Sequence, residues 1–229
     1  MKWGNYVAYK SSDETQRRKD LKKKHIIDTA IKIFSSNGYH ATTVKDVVEK
    51  ADISVGTFYF YFKNKEDLFE TLYDEVSEEF YNALCNSLES KNNEIDLGFS
   101  KAIAFFLKVI EHNRPLARIL LIEAVGLNPR FERKRAEVTQ KYVNYTAEYF
   151  NRMKLCNKVS IPDVKIFSLA FIGTLYNVIM EWLQDTSTNS LTGYAYALTI
   201  YNLQALKVDY KDKQVKEGIA EVLSKNIKI

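Results

Sequence analysis

Side chains that could read a DNA base sequence cluster between residues 54 and 61, in the run Ser-Val-Gly-Thr-Phe-Tyr-Phe-Tyr. Bases are read through hydrogen bonds and apolar contacts to their edges, while hydroxyls, cations and backbone N–H groups hold the phosphates. The run supplies hydroxyls, aromatic rings and a glycine that permits close backbone approach. It contains no Arg, Asn or Gln, the residues that contact guanine or adenine in bidentate fashion. Sequence choice would then depend on Lys45, thymine methyl groups and DNA shape.

Two short helices joined by a tight turn must position these side chains, which is the layout of a helix-turn-helix DNA reader. Thr43 and Ser54 precede the two helices as predicted N-caps. Phe58 and Phe62, four residues apart, are the predicted core contacts of the second helix, so its other side chains are left to face outward. The apolar face of the first helix is predicted from residues spaced i, i+3, i+4 and i+7, namely Val44, Val47, Val48 and Ala51.

Residues 53–68, ISVGTFYFYFKNKEDL, resemble the signature of the TetR (tetracycline-repressor) family of transcriptional regulators. Residues 30–34 and 37–44 resemble the first helix and turn of the same family. The resemblance covers roughly residues 20–70, and beyond residue 70 only the length and all-helical character agree. It implies an all-α fold, with an N-terminal three-helix helix-turn-helix domain and a larger C-terminal helical domain for ligand binding and dimerisation.

The expected DNA contacts divide between phosphates and bases. Helix starts and the end of the reader helix are places where side chains and N–H groups meet phosphates. Thr57 and Tyr59 are the best candidates for the major groove. Phe60 departs from the polar residue often found there in the family, and contact with DNA and simple exposure are equally good readings. The full predicted DNA-binding set is Thr43, Lys45, Ser54, Val55, Gly56, Thr57, Tyr59, Phe60, Tyr61 and Lys65.

Composition indicates a globular protein of long helices. The chain has 229 residues, is 46% hydrophobic and contains 8 Gly and 3 Pro. No apolar run follows a basic start, so we expect no signal peptide and a cytoplasmic location. The longest apolar stretch, residues 169–183, is interrupted by polar residues and is predicted to be a buried helix rather than a membrane span. Cys85 and Cys156 share no motif and are expected to be reduced thiols.

The net excess of positive charge lies at one end of the chain. Residues 1–69 carry 13 Lys and Arg against 9 Asp and Glu, whereas residues 70–229 carry 20 of each. Such confinement is expected of a phosphate-binding module, although an excess of four also arises by chance. We predict a polar and basic arm over 1–19, a helix-turn-helix domain over 20–69 and an effector-binding and dimerisation domain over 70–229. The arm, which includes Lys10, Arg17, Arg18 and Lys19, either follows DNA or is a solvated tail.

Helix signals predict longer elements after the reader. The predicted helices cover about residues 20–37, 65–90, 96–112, 115–125, 130–153, 163–185, 191–206 and 211–226. By the family resemblance, the helices at 163–185 and 191–206 form the interface of a homodimer. A dimer also suits a palindromic operator, because two reader helices must meet two half-sites. The predicted interface residues are Leu169, Ile172, Tyr176, Ile179, Leu183, Leu198 and Tyr201.

A small hydrophobic or amphipathic effector is expected in the C-terminal domain. An acyl chain and a cationic aromatic compound would both fit. The ordinary alternative is that an aromatic stripe at helical spacing is only core, and that Glu123 pairs with Arg118 or Arg114. The residues predicted to line the ligand site are Phe105, Phe106, Val109, Ile119, Leu120, Glu123, Tyr142, Tyr145, Tyr149 and Phe171.

Three classes of function are compatible with a helical chain of this kind. The leading hypothesis is a repressor of transcription that a ligand releases from its operator. The second is a constitutive DNA-organising or division-control protein of the same fold without an effector. An enzyme is the weakest, because His25, His40 and His112 have no acid or nucleophile partner at catalytic spacing, and no phosphate loop or metal motif is present. We therefore expect no catalysis, no cofactor and no membrane partner.

Overall fold

The computed structural model describes residues 5–89, 94–185 and 189–225, with side chains from residue 13 onward, and every regular element in these residues is helical. The predicted all-α class is therefore confirmed. The chain divides into two compact units, Met1–Glu75 and Val76–Ile229. The functional boundary predicted after residue 69 stays a prediction.

The first unit contains α1 (Asn5–Asn37), α2 (Val44–Lys50), α3 (Val55–Tyr61) and the beginning of α4 (Lys65–Leu88). Helix α1 begins 15 residues before the predicted start near Asp20, so the predicted arm is helical from Asn5 onward. The side chain of Lys10 lies outside the described residues, so its predicted place in the basic arm stays a prediction.

Aromatic packing closes the first unit around the end of α1. The helix stops at Gly38, whose φ of 84° is in the left-handed region that favours glycine. The Gly38 N–H donates to the Phe34 carbonyl at 3.0 Å. The Phe34 ring packs edge-on against Phe69 at 5.4 Å, and Tyr39 lies 4.7 Å from Phe69. Because these rings belong to α1, the following turn and α4, they fix the frame on which α2 and α3 sit.

The second unit contains the remainder of α4 and the elements that follow it. They are α5 (Ile95–His112), α6 (Arg114–Arg118), a π-helical segment (Ile119–Glu123), α7 (Pro129–Leu155), α8 (Val164–Gln184), a 3₁₀ turn (Leu191–Tyr194), α9 (Ala195–Ala205) and α10 (Asp212–Ser224). The single helix predicted over 115–125 is thus two elements, an α-helix that widens into a π-helical turn.

Helix α5 is the centre of the second unit, since it packs against both α9 and α10. A side chain at Gly218 of α10 would place its Cβ 2.3 Å from Ser100 Oγ and 3.1 Å from the Leu97 carbonyl oxygen, so glycine is required at this crossing. Helix α7 packs against α8. Phe99 of α5 reaches this pair, with its ring 6.3 Å from that of Phe150 and 5.8 Å from that of Phe171.

Helix α8 is long and apolar enough to cross a membrane by length and composition, which core helices also achieve. Its buried side chains include Phe167, Phe171, Leu175, Ile179 and Trp182. One side of this helix therefore faces the interior of the second unit, while Ile166 and Leu169 are exposed.

Candidate nucleic-acid interface and effector region

Side-chain caps fix the two short helices of the reader. The Thr43 hydroxyl accepts from the Asp46 N–H, and the Asp46 carboxylate accepts from the Thr43 N–H at 2.7 Å, which completes a capping box. Donation by the Thr43 N–H and hydroxyl lowers the pKa of Asp46. Ser54 accepts from the Thr57 N–H at 3.0 Å at the start of α3. Both predicted N-caps are confirmed.

The turn between α2 and α3 depends on a residue in an unusual backbone conformation. Asp52 has a φ of 49°, which a short polar residue tolerates better than a branched one. The Ile53 N–H donates to the Val48 carbonyl, so the turn also uses the end of α2. His25 of α1 lies 3.0 Å from the Ala51 carbonyl oxygen through its Nε2 atom. These contacts hold α3 at a fixed angle to α1 and α2.

Helix α3 is buried on one side and open on the other, as predicted. Phe58 and Phe62 are buried, with their ring centroids 5.8 Å apart. Val55 and Tyr59 are each 55% exposed and Phe60 is 66% exposed. Large apolar side chains are uncommon in such positions unless they meet a partner. The exposed side of α3 is therefore the candidate surface for base contact.

Other predicted DNA-binding residues differ in how available they are. Lys45 on α2 is 81% exposed and lies 3.6 Å from Glu49. Gly56 is exposed, and a Cβ there would make only an ordinary contact with Ser54 at 3.8 Å, so backbone geometry does not demand glycine. The Thr57 hydroxyl is 2.8 Å from Ser54 Oγ, and the Tyr61 ring packs edge-on against Phe60 at 4.9 Å.

Lys65 makes contacts within the first unit that the sequence did not predict. The sequence predicts a phosphate contact, but the ammonium group donates to the carbonyl oxygens of Tyr39 at 2.8 Å and Thr42 at 2.7 Å. It also lies 4.1 Å from the centroid of the Tyr39 ring. Burial lowers the pKa of Lys65. Because two of its three N–H groups are used in this way, Lys65 is chiefly a clamp that joins α4 to the turn before α2. No local sequence signal could reveal partners 23 and 26 residues away.

The predicted effector residues occupy two different environments in the second unit. Most of the apolar ones are buried: Phe106, Val109, Ile119, Leu120, Tyr149 and Phe171. Phe105 is half-buried. Tyr142 and Tyr145 are instead on the side of α7 that meets α4, where their hydroxyls donate to the carbonyls of Ser77 and Cys85. Both rings pack edge-on against Tyr81. These two tyrosines therefore belong to a helix–helix seam, which corrects their placement in a common interior with the residues of α5.

Two features of the second unit have no clear signal in the sequence. The first is the phenylalanine cluster around Phe150, which includes Phe167 at 4.7 Å and Phe171 at 5.6 Å. The second is the π-helical turn, a distortion that often marks functional sites. Glu123 ends this turn and lies 3.5 Å from Arg118, so its pairing with Arg118 is confirmed. Arg118 Nε is buried and has no hydrogen-bond partner in the described part of the chain.

The predicted dimer residues do not all lie on a free surface. Ile179, Leu183 and Leu198 are buried inside the protomer, which contradicts their assignment to an interface. The predicted set on α8 is therefore split, because its C-terminal end at Ile179 and Leu183 turns inward while Leu169 does not. Leu169 and Tyr201 are exposed, while Ile172 and Tyr176 are half-buried.

A two-helix reader with capped ends and an exposed aromatic face, in an all-helical chain with a separate second unit, defines a helix-turn-helix DNA-binding regulator. Comparison with known proteins agrees, because the pattern described as "Bacterial regulatory proteins, tetR family" matches residues 26–72. Residues 26–72 therefore form a DNA-binding domain of the kind found in the TetR family of transcriptional regulators.

Individual relatives extend the likeness beyond the reader. The chain is 27% identical over 173 residues to the fatty acid metabolism regulator protein of Bacillus subtilis (strain 168), which covers 74% of this chain and 87% of that protein. The structure of the Bacillus subtilis transcriptional regulator FadR, in complex with stearoyl-CoA, matches 80% of this chain and 98% of its own, with a TM-score of 0.71 and 21% identity.

A second solved structure gives the same result. The fatty acid degradation regulator FadR from Bacillus halodurans matches with a TM-score of 0.73 and 23% identity, over 82% of this chain and 97% of its own. At such identities the structural likeness establishes a common fold. All three relatives are regulatory proteins.

Proposed function

We propose that the chain is a dimeric repressor that leaves its operator when a long-chain acyl-CoA, or a ligand of similar amphipathic character, binds in the second unit. The observation that carries this proposal is the extent of the similarity to the fatty acid metabolism regulator. The aligned stretch has 173 residues and the first unit has only 75, so more than half of the alignment lies in the second unit. Similarity restricted to the reader would say nothing about the effector.

The interior of the second unit suits an apolar chain with a polar end. Phe106, Val109 and Leu120 offer apolar side chains of the kind that line small-molecule sites. The π-helical turn adds the pair Arg118 and Glu123 beside them. A buried N–H such as Arg118 Nε is stabilised by an acceptor, and a thioester carbonyl or phosphate oxygen of the ligand would supply one. We therefore assign the polar end of the effector to Arg118.

A face of α8 and α9 supports the proposed dimer. On α8, Ile166 is 61% exposed and Leu169 is 43% exposed, and a Cβ at Gly173 would meet nothing within 4 Å. These positions follow the spacing of one helical stripe. On α9, Tyr201 is 54% exposed. Burial of this apolar surface against a second copy would stabilise a two-fold dimer, which matches a palindromic operator.

Release of DNA by the ligand is a shift between two populations of the dimer. A ligand moves the equilibrium only by the difference between its affinities for the DNA-bound and DNA-free forms. Changing occupancy from almost complete to almost none needs about 10⁴-fold tighter binding to the free form. A buried chain together with a paired polar end can provide such a difference.

Titration of the protein–operator complex with stearoyl-CoA tests this proposal. The duplex is a fragment recovered from the genome by the protein itself, and free coenzyme A and stearate are the controls. We expect stearoyl-CoA to dissociate the complex and coenzyme A to leave it intact, with Arg118→Gln raising the concentration needed. If the complex survives saturating stearoyl-CoA, the acyl effector is wrong. If the complex does not respond to stearoyl-CoA and the protein also binds many unrelated DNA fragments, the constitutive DNA-organising function is favoured.

A further inference from the structure

Helix α1 extends beside the reader helix and places two lysines against it. The Lys19 ammonium is 5.6 Å from the centroid of the Phe60 ring, and the Lys23 ammonium is 5.8 Å from that of Phe62. Residues four apart share a face of a helix, so one side of α1 follows the C-terminal half of α3. The sequence leaves open whether the arm that contains Lys19 follows DNA, and the structure places this residue beside the reader helix.

Phe60 is the residue that makes this arrangement unusual. Its neighbours Phe58 and Phe62 are buried, yet its own ring is 66% exposed on the reader helix. The Lys19 ammonium is held near the ring by a cation–π interaction and keeps its charge at the edge of the same surface. An apolar ring and a cation therefore lie side by side where a DNA duplex would meet α3.

Charge along this part of α1 is strongly one-sided. Residues 17–24 include six Lys and Arg and a single acidic residue, Asp20. Arg18 is paired with Glu14 at 2.7 Å. Lys19 has no ion-pair partner among the side chains that the structure describes from residue 13 onward. A cluster of like charges attracts a partner of opposite charge, and this one is continuous with the reader through Lys19 and Phe60.

We infer that Lys19 and Phe60 form one composite DNA contact, which makes α1 a second DNA-binding element beside the helix-turn-helix. When α3 enters the major groove, the Phe60 ring packs on thymine methyl groups or sugar carbons, and the Lys19 ammonium reaches the adjoining phosphate. The ring supplies part of the base preference that a reader without Arg, Asn or Gln lacks. The lysine supplies affinity that depends on salt.

A double-mutant cycle on the full chain tests this inference. Lys19→Ala, Phe60→Leu and the double variant are compared by equilibrium binding to the genome-derived operator and to a scrambled duplex, between about 50 and 200 mM salt. Lys213→Ala is the matched control, because this lysine of the second unit is 87% exposed and loses the same charge. Lys19→Arg keeps the charge, and thermal unfolding of each variant separates binding from stability.

The composite contact predicts a defined pattern. Lys19→Ala lowers operator affinity about tenfold and reduces the salt slope by about 0.9, as expected for one lost phosphate contact. Phe60→Leu lowers the affinity for the operator about fivefold and hardly changes the affinity for the scrambled duplex. The fold-loss of operator affinity in the double variant is clearly smaller than the product of the two single fold-losses, because either substitution alone breaks the shared contact. Lys19→Arg keeps the salt slope, and Lys213→Ala stays within about twofold of the wild type.

Three results would overturn the inference. Lys19→Ala could bind like Lys213→Ala, which would remove α1 from the interface. The losses of the two single variants could multiply in full, which would mean that the residues act separately. A fall in affinity could also accompany a lowered unfolding temperature in Lys19→Ala, which would assign the residue to stability.

Discussion

The two units of this chain differ in how their helix ends are fixed. In the first unit, Thr43 and Ser54 cap helices through side chains that reach backbone groups three residues away. In the second unit, Asn128 and Asp163 cap α7 and α8 in the same local way, but other helix ends are held by distant parts of the chain. The Lys108 ammonium donates to the carbonyls of Val222 and Leu223 at the end of α10, and the Glu111 carboxylate accepts from the Thr192 N–H.

This difference separates helix ends that are fixed by neighbouring residues from those that are fixed by distant residues. A cap that acts over three residues leaves a signature in the sequence, and it fixes where the reader helix begins. Contacts such as that of Asp96 with the Lys211 N–H join residues 115 positions apart. The second unit can therefore change its interior while the first keeps its geometry, which suits a reader of DNA combined with a site for a variable ligand.

The largest effect is expected for a charge placed inside the second unit. Ile179→Glu buries a carboxylate where the side chain is 3% exposed, and should lower the free energy of unfolding by about 4 kcal/mol. Leu169→Glu, on the exposed stripe of the same helix, should leave the protomer folded and convert the dimer into monomers. Sedimentation and thermal unfolding of the two variants distinguish the faces. If Ile179→Glu is folded and monomeric, Ile179 contacts the partner subunit.

The exception in the first unit is Lys65, whose partners are distant. Lys65→Met removes the ammonium that serves the Tyr39 and Thr42 carbonyls, and should destabilise the protein by about 2–3 kcal/mol. We expect weaker binding to all duplexes together with a lower denaturant midpoint. Lys45→Met, an exposed lysine of α2, is the control for lost charge. If Lys65→Met keeps its stability but the salt slope falls by about one unit, the residue is a phosphate contact after all.

Base reading by the exposed face of α3 is tested by Tyr59→Ala. Tyr59 packs only at the edge of Phe58 and is mostly exposed, so its removal should spare the fold. We expect a loss of about 2 kcal/mol, roughly 30-fold, on the operator and little change on a scrambled duplex. Anisotropy titrations with both duplexes measure the ratio. Equal losses on the two would assign Tyr59 to the DNA backbone.

The smallest effect concerns a local cap. Thr43→Ala should destabilise the protein by about 1 kcal/mol, because the Asp46 N–H loses its acceptor. Because the pKa of Asp46 is lowered in the folded protein, its ionised carboxylate stabilises the fold at pH values above the ordinary pKa of an aspartate. This stabilisation is lost as the pH falls through the lowered pKa. The difference in the free energy of unfolding between the wild type and Thr43→Ala should therefore become smaller in strong acid. A gap that widens with acid would contradict the capping box.

How much of the structure the sequence could predict follows the same division. The caps at Thr43 and Ser54, the turn at Asp52 and the buried pair Phe58 and Phe62 were all predictable, because each depends on neighbours within four residues. The clamp at Lys65 was not, since its partners are far away in the chain.

In the second unit, the sequence placed Leu169 and Ile179 of α8 in one interface but could not show which of them turns inward. That choice depends on α5, α7 and α9, whose positions are set by contacts such as Phe99 with Phe150. The start of α1 at Asn5 was missed because its first turns carry helix-compatible polar residues without a cap or a periodic apolar face. The π-helical turn is likewise a product of packing rather than of local preference.

Base reading by α3 can be examined on the whole genome by selecting DNA fragments at near-physiological salt with the wild-type protein and with Tyr59→Ala in parallel, and sequencing what each retains. A regulator that reads its operator through the exposed face of α3 should enrich a few palindromic sites, and the variant should lose them. Enrichment of the same fragments by both proteins, or of none by the wild type, would contradict the account.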